Sequence, residues 1–333
     1  MNKDINRLKV VLAEKKRTNK WLAELLECCE KENKKISEVM FEREITFLEQ
    51  DPEKTKKRMQ KAWSIMQSAA KKPLKENIIS MGGMIGGESR KLHELRENKK
   101  NLCGEVVSKA IAYAVGVLEV NASMGLIVAA PTAGSSGVIP GVFCSLKENY
   151  GFSDDEICQA LFNAAAVGYL ITRNATTAGA EGGCQAEVGA ASAMAASAAV
   201  ELFGGTPAQC LDAASFATVN ILGLVCDPIG GLVENPCQNR NAMGAFNALI
   251  SAELSMAGIR SITPIDETIG VMLREGLPVP VLSAALNYFL GLTTNRSPAN
   301  MIQAMRDYFG AHTFERVDSP RGEFFHEHWE DNY

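Results

Sequence analysis

The chain has 333 residues, with 46% apolar and 22% charged side chains and a formal net charge of −5. This profile describes a soluble globular protein with material for a sizeable core. It gives no global reason to expect nucleic acid or an anionic membrane as a partner. The N-terminal stretch lacks the apolar segment and small-residue cleavage site of a secretory signal. The most apolar run, residues 125–142, is broken by Pro131, Gly134, Gly137, Pro140 and Gly141. A membrane helix needs about 20 mostly uninterrupted apolar residues, so a cytoplasmic protein is expected.

The elements read in chain order as helices. Leu8, Val11 and Leu12, and then Trp21, Leu22, Leu25 and Leu26, recur at helical spacing. A second segment follows Ile36, with Val39, Met40, Ile45 and Leu48 apolar. Asp51-Pro52 predicts a helix start, with Pro52 at the first helical position. That helix carries Met59, Ala62, Trp63, Ile65, Met66 and Ala69. Eighteen of the twenty lysines precede residue 101, interleaved with Glu and Asp, and read as a solvated helix surface. The loop from Met81 to Glu88 is rich in glycine but matches neither a dinucleotide fingerprint nor a P-loop. It reads as a connector, or as backbone that must approach a ligand closely.

From about Asn101 the pattern changes. Helical stretches over 105–120 and 154–171 alternate with small-residue loops, and residues 186–203 are almost all Ala, Ser, Gly and Met, with Glu187 and Glu201. Such a helix lets its neighbours pack closely. No train of period-2 alternation with hairpin turns appears. The fold class expected is therefore all-α. It divides into a charged helical N-terminal region (1–100), a helical catalytic domain (101–310) and a polar C-terminal tail (311–333).

Nine cysteines in such a chain are expected as reduced thiols. Cys28, Cys29, Cys103, Cys144, Cys158 and Cys210 read as structural background, mostly in apolar helical patterns where a thiol is a small hydrophobe. Cys184, Cys226 and Cys237 instead sit among Gly, Pro, Asp and Asn, at breaks in helical pattern. Thiolates are the usual protein ligands of iron–sulfur clusters. Three of them on a four-iron cluster leave one iron free to act as a Lewis acid. The separations of 42 and 11 residues match no standard metal pattern. On residues alone, an iron–sulfur site, a structural zinc site and incidental thiols all stand open.

Other chemistries are disfavoured. A pyridoxal-phosphate enzyme needs a Schiff-base lysine, and no lysine follows Lys147, so no PLP is expected. No G-x-S-x-G occurs for a serine hydrolase. Thr132, Ser135, Ser136 and Gly137 read either as turn and cap chemistry or as a cradle for a substrate carboxylate at a helix start.

At these residues the chain resembles the alpha subunit of bacterial iron–sulfur L-serine dehydratase. The resemblance spans roughly Ile36 to Arg274. It includes Ile36-Ser-Glu-Val-Met, the Gly82–Gly87 loop, Glu119-Val-Asn-Ala-Ser-Met-Gly and Ala130-Pro-Thr-Ala-Gly-Ser-Ser-Gly-Val-Ile-Pro. It continues through Gly179-Ala-Glu-Gly-Gly-Cys-Gln-Ala-Glu-Val-Gly, Gly223-Leu-Val-Cys-Asp-Pro and Pro236-Cys, then Arg240-Asn-Ala-Met-Gly. The resemblance implies an all-helical catalytic domain, a 4Fe–4S cluster on Cys184, Cys226 and Cys237, and dehydration and deamination of L-serine to pyruvate and ammonia. It implies a separate beta subunit, hence a hetero-oligomer. Glu181 and Asp227 are candidates for the catalytic machinery or for support of the cluster. Asn174 and Arg240 are candidates for substrate binding, Arg240 through its planar fork.

The chain departs from the family pattern in places. Asn174-Ala-Thr-Thr-Ala178 replaces a stretch richer in serine, Gly230 stands for a usual alanine, and the ending after Gly276 differs. The tail has no cysteine to plug an open iron, though it carries His326 and His328. A sibling dehydratase or desulfidase acting on another small amino or hydroxy acid, and a non-catalytic cluster sensor, are the rival readings.

Overall fold

The computed structural model describes residues 21–268, 313–316 and 318–327. The chain divides into two compact units, residues 1–280 and 281–333. The expected helix around Leu8, the departure after Gly276 and His328 lie outside the described residues.

The described elements of the first unit are all helical, joined by loops. Helix α1 (Trp21–Glu32) buries Leu22, Leu25 and Cys29 on one stripe. Its first-turn amides, Leu22 and Ala23, donate to the Asp266 carboxylate at 3.0 and 2.9 Å, so a residue more than 240 positions away caps it. Helix α2 (Ile36–Glu42) continues into a π-helical turn over Arg43–Phe47. Helix α3 (Pro52–Lys75) starts as expected, with Pro52 in its first turn and Asp51 accepting from the Lys54 amide at 2.8 Å. It buries Trp63, Met66, Ala69 and Ala70 and turns its lysines outward.

Helices α4 (Glu88–Glu97), α5 (Gly104–Ala122), α6 (Val138–Tyr150), α7 (Asp154–Asn174), α8 (Gly179–Leu202), α9 (Pro207–Val219) and α10 (Cys237–Met256) follow. Ser153 and Thr206 cap α7 and α9 through reciprocal capping boxes. Helix α8 is central: α6, α7, α9 and α10 all pack against it. Almost every residue from Gly182 to Glu201 is buried, because side chains of one or two heavy atoms let four neighbours approach together. The lysine-rich α3 packs on α5 and α7, and α2 packs on α7, so the charged N-terminal helices share this unit's core.

In the second unit, β1 (Phe314–Glu315) pairs antiparallel with β2 (Phe324–Phe325), with Phe314 opposite Phe325. This ribbon is the described part of the expected tail. The molecule is mainly helical, as expected. Among the described residues no helix is long and apolar enough to cross a membrane.

One buried polar network ties α2, α7 and α8. The Asn163 amide donates to Glu201 Oε2 at 2.7 Å and its oxygen accepts from the Ser197 hydroxyl at 2.7 Å. The Ser37 amide donates to the same Glu201 oxygen at 3.2 Å. Replacing Asn163 by Leu removes one of the two donors to the buried Glu201 carboxylate and the acceptor of the Ser197 hydroxyl. Urea denaturation of Asn163→Leu is expected to show a loss of about 2–4 kcal/mol of unfolding free energy. A loss within about 0.5 kcal/mol would contradict this account of the network.

Candidate functional site

The segments bearing Cys184, Cys226 and Cys237 meet where α8 begins. Gly183 breaks that helix with φ 75° and ψ 178°, a backbone that only glycine adopts readily. The break lets the loop after α9 close in. The Gln185 amide donates to the Leu224 carbonyl at 2.9 Å, and the Gly223 amide donates to Gln185 Oε1 at 3.0 Å. A Cβ at residue 183 would lie 2.8 Å from that Leu224 oxygen. Cys184 is 1% exposed and Cys237, the first residue of α10, is 6% exposed. Cys226 lies exposed in the loop.

Arg240 joins the three. It stands one turn after Cys237 on α10. Its Nη1 donates to Cys184 Sγ at 3.1 Å and to the Val225 carbonyl, next to Cys226, at 2.8 Å. Its Nη2 pairs with Asp227 at 2.5 Å. One guanidinium thus holds a cysteine sulfur, the backbone beside a second cysteine and an acid of the same loop.

The thiols feel one another. Burial pushes the Cys184 thiol pKa up. The Arg240 hydrogen bond and charge pull it back in part, while Cys226 and Glu187 add to the rise. Burial pushes Cys237 up to about 11, with further contributions from Cys184, Glu187 and Cys226. Crowded, buried thiols resist ionising without a cation among them; a bound metal centre reverses that balance by favouring the thiolates. Three cysteine sulfurs brought from three segments are the donor chemistry that an iron–sulfur group takes. Among the described residues no three His, Cys, Asp or Glu side chains stand close enough to hold a single metal ion. The thiolates of a cluster bind different irons.

The background cysteines differ. Cys29 and Cys144 are buried away from these loops, and desolvation pushes both up to about 12. Cys158 and Cys210 are also buried, whereas Cys103 is exposed before α5 and Cys28 is half-buried.

Two loops frame the site. In the Gly-rich loop, Glu234 accepts from the Ser80 hydroxyl at 2.5 Å and from the amides of Gly82 at 2.7 Å and Met84 at 3.1 Å. Glu234 is three residues before Cys237, so the loop is clipped to the third cysteine segment. At the loop's other end, Glu119 accepts from the Ser89 amide at 2.9 Å, and burial raises its pKa. The 130–137 loop is tied to α10 by Asn241. Its Nδ2 donates to the Gly134 and Cys237 carbonyls at 2.7 and 2.9 Å, and its Oδ1 accepts from the Gly137 amide at 2.9 Å.

The other sequence-predicted residues fall as follows. Thr132 is half-buried, its hydroxyl donating to Glu187 and lying 3.0 Å from Ser135 Oγ. Ser135 and Ser136 are fully buried, and Ser136 Oγ has no hydrogen-bond partner among the described residues. The Ser136, Gly137 and Val138 amides donate to the Ala133 carbonyl, Asn241 Oδ1 and the Ser135 carbonyl. Glu181 is exposed and accepts from Thr176 Oγ1 at 2.6 Å, closing its own turn. Asn174 ends α7 and donates back to the Leu170 carbonyl at 2.8 Å. Sequence reasoning did not assign Glu187, Glu234 or Asn241. Their signal was spacing, since each lies three or four residues from Cys184 or Cys237 on or beside the same helix.

A mainly helical unit that brings together two cysteines at helix starts and one in a loop, with one arginine between their segments, defines a thiol-centred site. The family model for the serine dehydratase alpha chain matches residues 31–279, and the chain belongs to that family. It is 44% identical over 257 residues to a probable L-serine dehydratase alpha chain of Bacillus subtilis, covering 77% of this chain and 85% of that one. It is 44% identical over 253 residues to the L-serine dehydratase alpha chain of Peptoniphilus asaccharolyticus, covering 76% and 87%. Against an L-serine dehydratase of Streptomyces coelicolor, identity is 35% over 266 residues, covering 78% of this chain and 57% of the relative. A second family model, the C-terminal domain of 6-phosphogluconate dehydrogenase, matches residues 239–329. The departure read after Gly276 coincides with the end of the first match.

Burial raises the Glu234 pKa, but the Ser80 hydroxyl and the Gly82, Met84 and Ile85 amides outweigh it and hold the carboxyl below its usual value. A lowered folded pKa means the clip is fully present above about pH 4.3 and is lost as pH falls through the folded value. Hydrogen-exchange protection of the Gly82 and Met84 amides is expected to fall on that acidification, and to be low already at neutral pH in Glu234→Ala. Protection unchanged in the variant would contradict the clip.

Proposed function

We propose that this chain is the cluster-bearing chain of an L-serine dehydratase, converting L-serine to pyruvate and ammonia. The observation that carries the reading is the convergence of Cys184, Cys226 and Cys237 from three segments under Arg240. The names of the relatives support the substrate. Cys184, Cys226 and Cys237 would hold a 4Fe–4S cluster. When bound with three thiolates, such a cluster supplies an open iron that polarises a substrate hydroxyl as a Lewis acid.

The chain's own residues do the rest. Arg240 donates to the Cys184 sulfur and so steadies a ligand. Its outer nitrogen pairs with Asp227, whose side chain is 57% exposed; a substrate carboxylate exchanges with Asp227 there and binds the guanidinium. Glu181 and Asn174 brace the 174–181 turn that leads into Cys184. Ser135, Ser136 and Gly137 fix the loop that carries Thr132 toward the substrate. Removal of the α-proton and the β-hydroxyl leaves an enamine, which tautomerises and hydrolyses to pyruvate and ammonia. The relatives are named alpha chains, and this chain is proposed to work in a hetero-oligomer with a beta subunit.

Anaerobic reconstitution with iron and sulfide tests the reading. Wild-type protein is expected to hold a cluster and, with its beta partner, to release pyruvate from L-serine. Alanine at Cys184, Cys226 or Cys237 is expected to abolish both, and Arg240→Met to weaken cluster retention by about 10–100-fold. Stoichiometric zinc without iron, or a full cluster with no serine turnover, would overturn it.

A further inference from the structure

Glu187 lies one helical turn beyond Cys184 on α8, half-buried. Thr132 donates its hydroxyl to Oε1, and Ser135 backs Thr132 at 3.0 Å. The carboxylate occupies a space that two glycines from different segments leave clear. A Cβ on Gly179 would lie 2.6 Å from Oε2 and 3.3 Å from the carboxyl carbon; one on Gly134 would meet Oε1 more closely still. Neither glycine has a positive φ. Their backbones do not demand glycine, but the carboxylate does.

The same point at Gly179 lies 3.7 Å from Cys226 Sγ. The carboxylate therefore stands near the Cys226 sulfur and one helical turn beyond Cys184. Among the described residues, Thr132 is its one hydrogen-bond partner, which leaves Oε2 free for a ligand.

We propose that Glu187 binds the α-ammonium group of the substrate, making this a site for amino acids and not for the matching α-hydroxy acids. The proposal rests on the dehydratase reading above and names the group that recognises its substrate class. Once its Asp227 partner is exchanged as proposed above, Arg240 is the cation for the substrate carboxylate and Glu187 the carboxylate for its ammonium, so a zwitterion satisfies both. An α-hydroxy acid carries the carboxylate for Arg240 but offers Glu187 only a neutral hydroxyl. A charge-assisted hydrogen bond in a half-buried site discriminates far better than a neutral one. The two glycines and Thr132 fix the carboxylate, so binding orders little that is not already ordered.

The test uses L-alanine and L-lactate, which differ at the α-substituent and have no leaving group. Dissociation constants are measured by anaerobic calorimetry on the iron- and sulfide-reconstituted full chain, as wild type, Glu187→Gln and Glu187→Asp. Iron, sulfide and the visible spectrum are recorded for each. Wild type is expected to favour L-alanine by at least about tenfold. Glu187→Gln is expected to bring the two ligands within about twofold with an unchanged spectrum, and Glu187→Asp to restore part of the preference. An intact cluster with no preference in wild type, or with the preference surviving in Glu187→Gln, overturns the proposal and leaves the cluster reading standing. A Glu187-dependent preference in a chain that holds no iron supports the proposal and overturns the cluster reading. Binding of neither ligand overturns the proposal, and the iron and sulfide content then decides the cluster reading by itself.

Discussion

Close approach of backbones to helix α8 is the constraint on which the rest of the unit depends. Its run of Ala, Ser and Gly places main chain, not side chain, at the centre of the bundle. Little apolar area is buried per residue, so cohesion comes from dense contact and from hydrogen bonds that only near backbones can reach. Ser192 donates to the Gly244 carbonyl of α10 at 2.9 Å. At the far end, Asn163, Ser197 and Glu201 join α7 and α8 in a buried network. Such networks in low dielectric demand complete pairing, which makes the bundle specific as well as tight.

The same helix organises the site because it fails at one residue. Gly183 interrupts α8 and admits the loop after α9, which brings the Cys226 loop to Cys184. Arg240 then locks the Cys184, Cys226 and Cys237 segments with one side chain. Asn241 and Glu234 attach the 130–137 and Gly-rich loops to the same end of α10. These loops carry exposed apolar side chains such as Met81, Leu222, Val225 and Ile229, and polar groups hold them in place: Gln185 on α8, and Glu234, Arg240 and Asn241 on or just before α10.

Much of this was legible in the sequence, and the reason is local. Helix periods, the Asp51-Pro52 start and the small-residue stretch over 186–203 follow from neighbours in the chain, so the mainly helical fold could be read directly. Cys184, Cys226 and Cys237 stood out by composition. Their convergence could not be seen, because a guanidinium contact between α10 and two other segments has no one-dimensional pattern. Glu187 was noticed only as a charge in an alanine-rich run. Its place depends on Gly134 and Gly179, whose missing Cβ atoms make room for a carboxylate. The serines of the 130–137 loop read either as turn and cap chemistry or as a carboxylate cradle; in the fold Ser135 and Ser136 are buried and Thr132 is half-buried.

The central claim is a cluster held by three cysteines with one iron left to the substrate. Mössbauer spectroscopy of iron-57-reconstituted protein, recorded with and without L-serine, tests it most directly. The account predicts one iron in four distinct from the rest and shifted by L-serine alone. Four equivalent irons that do not respond to L-serine would contradict it.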